Sequence, residues 1–109
     1  MTKIYRHGDT FIAPKGSFFD GNVKIEGNLI LPADTHVWGR LEVGGRLELG
    51  RLSTVGEGIA SGSAIIGSRT RIKGPVCTRE NLTVCDHARI RSIQAVGDVI
   101  LRPGSRWAR

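Results

Sequence analysis

Apolar-x-apolar triplets recur along the chain: Phe11-Ile12-Ala13, Leu29-Ile30-Leu31, Leu47-Glu48-Leu49, Ala64-Ile65-Ile66, Leu82-Thr83-Val84 and Val99-Ile100-Leu101. Their last members lie 18, 18, 17, 18 and 17 residues apart. Six positions after each comes another large apolar residue: Phe19, Val37, Val55, Ile72, Ile90 and Trp107. A third column, Val23, Leu41, Ile59, Val76 and Ile93, keeps the same frame at separations of 18, 18, 17 and 17. Between the last two columns stand Gly21, Gly39, Glu57, Gly74 and Ser92, mostly small. Self-similarity at a fixed period of this length is the signature of a solenoid.

Alternation at period two means extended strand, with every second side chain on one face. A helix needs apolar spacings of three and four held over ten or more residues, and no window has them. The six-residue offsets within a repeat predict three short strands per coil, each pairing in parallel with its equivalent one repeat later. The expectation is an all-β, single-domain parallel β-helix of about six coils of 17–18 residues. Residues 1–10 form an N-terminal segment or partial cap, 11–107 the core and 108–109 a tail. Strands roughly 4.8 Å apart make this a rod on the order of 30 Å long. Turn signals follow each triplet directly: Pro14-Lys15-Gly16, Pro32-Ala33-Asp34, Gly50-Arg51, Gly67-Ser68, Cys85-Asp86 and Arg102-Pro103-Gly104. Spacing carries no chirality, so the hand is not read from it.

The repeat includes a Gly-polar-apolar element: Gly27-Asn28-Leu29, Gly45-Arg46-Leu47, Gly62-Ser63-Ala64 and Gly97-Asp98-Val99. With the 17-to-18 alternation, it resembles the bactofilins, polymer-forming cytoskeletal proteins of bacteria and archaea, over residues 11–107. The resemblance implies a right-handed helix with a triangular core and nucleotide-independent, end-to-end assembly into filaments. Typical bactofilins flank the core with polar, Pro-rich tails; here about ten residues precede it and two follow.

A stack of open coils ends in strands whose N–H and C=O groups lack a ladder, and soluble solenoids usually cover them. Met1–Thr10 is the available cover at one end, and the repeat runs to Trp107 at the other. Phe11, Phe18, Phe19 and Trp107 are therefore expected to form apolar end surfaces that meet another copy of the chain. The alternative for Trp107 is a ring that plugs the last coil. Outward members of the triplets give a lateral column, Ile30, Glu48, Ile65, Thr83 and Ile100. Its isoleucines Ile30, Ile65 and Ile100 are candidate filament-to-filament contacts, or ordinary strand formers.

The formal charge is +6, and its placement changes the picture. Residues 1–58 balance seven basic against seven acidic side chains, whereas 59–109 hold nine against three. Two outward ladders flank the Phe19–Trp107 column: His36, Thr54, Arg71, Arg89, Arg106, and Asp20, Trp38, Gly56, Lys73, Arg91. They gather Arg71, Lys73, Arg89, Arg91 and Arg106 on one face. Stacked like charges repel, so an anion on this stripe would relieve them. Nucleic-acid phosphates and an anionic membrane surface are the candidates, and a solvated face is the plain alternative. Trp38, two coils from Lys73, is a candidate for stacking on a base.

Catalysis needs a positioned base, nucleophile or metal. His7, His36 and His87 are scattered without ligand spacing, and Cys85-Asp86-His87 sits in a tight turn. Gly56-Glu57-Gly58 has no helix after it, as a dinucleotide loop would require. The chain is therefore not expected to be an enzyme, and neither a cofactor nor a small-molecule substrate is expected. One enzymatic alternative stays open. Left-handed β-helices of hexapeptide repeats, many of them acyltransferases, also have three faces, and Leu31, Val37, Val43, Leu49 and Val55 recur every six residues. The large Leu41, Leu47 and Ile59 and the 17-residue coils argue against that pattern. Met1–Thr10 has no apolar run and Cys77 and Cys85 read as free thiols, so the expected location is cytoplasmic, with membrane association through the stripe as a variant.

Overall fold

The structure, a computed structural model, describes residues 4–107, with side chains as far as Ser105. It is a parallel β-helix of about five turns, and its principal extents are 34 × 23 × 20 Å. The strands are β1 (Tyr5–His7), β2 (Thr10–Ile12), β3 (Phe18–Phe19), β4 (Val23–Ile25), β5 (Asn28–Leu31), β6 (His36–Val37) and β7 (Leu41–Leu49). They continue with β8 (Thr54–Val55), β9 (Ile59–Ile66), β10 (Arg71–Thr78), β11 (Leu82–Val84), β12 (Arg89–Ala95), β13 (Val99–Leu101) and β14 (Arg106–Trp107). No helix occurs among the described residues.

Each coil has three faces. The triplets stack on the first in the register Phe11, Leu29, Leu47, Ala64, Leu82, Val99. The second carries Phe19, Val37, Val55, Ile72, Ile90 and Trp107. The third carries Val23, Leu41, Ile59, Val76 and Ile93. A one-residue slip would turn every side chain of a strand inside out, and Leu29, Leu41, Leu47, Val37, Val55, Val76 and Leu82 are fully buried. The 17-residue spacings arise at two corners. Register shifts by one between Val43 and Arg46 opposite Ser61 and Ser63, and between Ile72 and Pro75 opposite Ile90 and Ser92. Each corner has lost one residue without disturbing the ladders on either side.

The core is wider than the apolar columns. On the second face a hydroxyl column, Ser17, Thr35, Ser53 and Thr70, points inward and is buried, followed by Ala88. Its hydroxyls are satisfied at the corners: Thr35 Oγ1 donates to Pro32 O at 2.8 Å and Ser17 Oγ to Pro14 O in their own coils, and Thr70 Oγ1 to Gly50 O at 3.2 Å in the neighbouring coil. Ser53 Oγ accepts the Thr35 N–H at 3.1 Å, one coil away. These corners pass through the left-handed region at Gly16, Asp34, Leu52, Arg69, His87 and Gly104, with φ between 56° and 77°. Four of the six are not glycine, so the inter-coil bonds hold a conformation their side chains disfavour.

Ser53→Ala is expected to strand the buried Thr35 N–H and to lower stability by about 1–3 kcal/mol. Ser53→Thr, which keeps the hydroxyl and copies its neighbours in the column, is expected to stay close to the parent. Urea unfolding of the two variants checks this.

Candidate functional site

The two ends of the stack differ. At the N-terminal end β1 folds back and pairs antiparallel with β2, Tyr5 to Ile12 and His7 to Thr10. Asp9 O accepts the Asn28 N–H at 2.8 Å, tying this hairpin into the first coil. The Arg6 guanidinium lies 5.5 Å from the centre of the Phe11 ring, and Phe11 is half-buried against the core. The expected apolar docking surface at Phe11 is thus covered on the first face by the chain itself. On the second and third faces, β3 and β4 have a partner on one side among the described residues. Phe19 packs partly buried against the core there.

Phe18 lies on the same first-coil strand but faces away from the core. It sits one residue from inward Phe19, so strand alternation turns it outward. Its ring meets Trp38 edge-on, with centroids 5.1 Å apart and planes at 79°.

At the C-terminal end the last coil has no covering strand among the described residues. Among the described residues β13 pairs with β11, β14 with β12, and Ile93–Ala95 of β12 with β10, and no strand lies beyond any of them. Val99 occupies the same inward column as Leu82, yet Val99 is 41% exposed and Leu82 0%. Ile93, Ala95 and Leu101 are likewise only partly buried. The side chain of Trp107 lies outside the described residues. Leu82 N–H donates to Asp98 O and Arg102 N–H to Val84 O, each at 2.9 Å. Strand groups alternate in direction, so the N–H and C=O of Val99 and Leu101 point away from the stack.

The lateral column keeps the expected register, Ile30, Glu48, Ile65, Thr83, Ile100, and begins one coil earlier at Ile12. Ile30 and Ile65 are half-buried between neighbours, and Ile100 is exposed. Glu48 interrupts the column and pairs with Arg46 at 3.6 Å.

The basic stripe forms on the outer surface of the second face. Arg71 lies opposite Arg89, and Arg89 opposite Arg106, whose side chain is outside the described residues. Lys73 and Arg91 follow two residues on, and Arg71, Lys73, Arg89 and Arg91 are all exposed. Arg69 and His87, missed by the ladder reading because they lie on the left-handed corner, extend the rows. With Leu52 and Gly104 they line a groove of about 530 Å³ together with Arg71 and Arg89. The Arg and Lys ion pairs among the described residues are Arg40–Glu42 and Arg46–Glu48, and His36 Nε2 contacts Asp34 Oδ1 at 3.0 Å. None involves a cation of this stripe.

No three His, Cys, Asp or Glu side chains converge among the described residues. Cys77 and Cys85 are free thiols, and Cys77 Sγ contacts Gln94 Oε1 at 3.5 Å. Comparison of the chain with family models, characterised proteins and solved structures gives no match.

Proposed function

We propose that this chain is a bactofilin-like scaffold subunit that assembles through its coil ends, without nucleotide, into filaments or defined oligomers. The observation that carries the reading is the uncovered C-terminal coil. Val99 is 41% exposed in a column whose interior members are sealed, and no described strand lies beyond β13. A second copy supplies the next coil. Its strand groups complete the ladder of β13, and its inward residues cover Val99, Ile93 and Leu101. The N-terminal end contributes less, since the β1 hairpin already occupies one of its three faces. The resemblance in repeat style supports the same reading.

Negative-stain microscopy and light scattering of the purified chain test it. Filaments or discrete oligomers are expected at micromolar concentration with no nucleotide added. A solution that stays monomeric up to millimolar concentration overturns the proposal.

A further inference from the structure

The second face carries two unlike surfaces in line along the rod. Toward the C-terminal end, Arg69, Arg71 and Lys73 alternate outward on one coil, and His87, Arg89 and Arg91 repeat them on the next. Alternate residues of a strand are about 6.6 Å apart and neighbouring coils about 4.8 Å, so six cationic or protonatable side chains share a small patch. Glu57, at the following corner, shares a shallow recess with Lys73 and Arg91, but no ion pair forms. Toward the N-terminal end, on the ladder of Lys73, stands Trp38, 64% exposed and braced edge-on by Phe18.

Between Trp38 and Lys73 lies Gly56, one residue after the registered pair Val37–Val55. A Cβ at Gly56 would come within 2.1 Å of the Trp38 carbonyl oxygen, so no side chain can stand there. The ladder thus has no side chain between the indole and the cations, two coils or roughly 10 Å apart, and Arg40 and Glu57 line the recess beside this gap.

Cation rows beside an exposed aromatic ring form the pattern that holds an unpaired polynucleotide, whose backbone follows the charges while a base stacks on the ring. The concavity favours a thread over a plane. Arg69, Arg71, His87 and Arg89 line a groove, which a flexible strand enters and a flat bilayer cannot.

We propose that the second face binds single-stranded nucleic acid, with phosphates along Arg69–Lys73 and His87–Arg91 and a base on Trp38. The surface is lateral and leaves the coil ends free, so it stands whether or not the chain assembles.

Fluorescence anisotropy with a labelled oligothymidylate, run on the Val99→Lys variant discussed below to separate binding from assembly, tests the proposal. Affinity is expected to fall linearly with salt on logarithmic axes, by about 0.7 in slope for each phosphate neutralised. Arg71→Glu with Arg89→Glu is expected to weaken binding more than tenfold and to flatten that slope. Trp38→Ala is expected to weaken it roughly tenfold at unchanged slope, and Trp38→Phe to restore most of the loss. All three changes are at outward positions, and circular dichroism melts verify that the coil is kept. Absence of binding at low salt overturns the proposal. So does a silent Trp38→Ala, or full displacement of the oligonucleotide by phosphatidylserine vesicles, which would identify a bilayer surface instead.

Discussion

Val99→Lys is expected to leave the β-helix folded and to abolish its assembly. The Val99 N–H and C=O point away from β11, because the bonds to that strand are made by Asp98 O and Arg102 N–H. Its side chain lies over Leu82 at the end of an inward column. In the monomer a lysine there can turn its ammonium into water. In a junction the same ammonium is enclosed by a second apolar coil, and an unpaired buried charge costs several kcal/mol even after relaxation. At about 1.4 kcal/mol per factor of ten, the assembly constant falls by more than a hundredfold. Natural sheets use lysine on edges to the same end. Val96→Lys makes the matched control. Val96 is 86% exposed at the preceding corner, and assembly of that variant is expected to change by less than a few-fold. Light scattering against concentration, with a circular dichroism melt of each variant, reads the contrast. Equal assembly of Val99→Lys and the parent would place the junction somewhere other than this end.

The columns that could be read from spacing were those whose inward members are apolar. Leu29, Leu47 and Leu82, or Val37, Val55 and Ile72, mark register because an exposed copy would cost burial in every coil. The hydroxyl column was not legible by that rule. Ser17, Thr35, Ser53 and Thr70 look like surface residues, yet they bond to corner carbonyls and a neighbouring amide inside the coil. Their own period was the available signal, since each stands two residues before the second-face column. The β1 hairpin lies outside the repeat, whose spacing defines residues 1–10 only as an N-terminal segment or partial cap. Its cue was Gly8-Asp9 between Tyr5-Arg6-His7 and Thr10-Phe11-Ile12, a two-residue loop whose Gly8 has φ +62°.

The candidate surfaces divide along the same line. The stripe of Arg71, Lys73, Arg89 and Arg91 followed from register alone, since parallel stacking puts equivalent residues side by side. Arg69 and His87 could not be added from sequence. They belong to the stripe because their corner is left-handed, and neither side chain advertises that conformation. The unequal ends were equally hidden. Both carry large apolar residues in the inward columns, and only the backward fold of Tyr5–His7 covers one face of one of them.

Leu47→Ala is expected to be the most destabilising single truncation in the core. Leu47 is fully buried in β7, between Leu29 on one side and Ala64 on the other. Truncating a buried leucine costs about 2–5 kcal/mol, according to how far the surroundings can close the cavity. Here closure is poor. Ala64 is already the smallest member of its column, so the variant sets two alanines one above the other. The ladders on all three faces fix the coil spacing at about 4.8 Å, which prevents the stack from settling into the gap. A loss of about 4 kcal/mol or more is expected, against about 3 kcal/mol for Leu29→Ala, where the large Leu47 and Phe11 rings the cavity and can lean into it. With a ΔΔG of 1 kcal/mol worth about 4–8 °C in a domain near this size, the Leu47→Ala midpoint falls by roughly 15–30 °C. Both changes belong in the Val99→Lys background, so that assembly does not add its own concentration-dependent stability. A Leu29→Ala midpoint at or below that of Leu47→Ala would mean that the column relaxes around Ala64 after all, and that coil spacing in this β-helix is softer than its hydrogen-bonded ladders suggest.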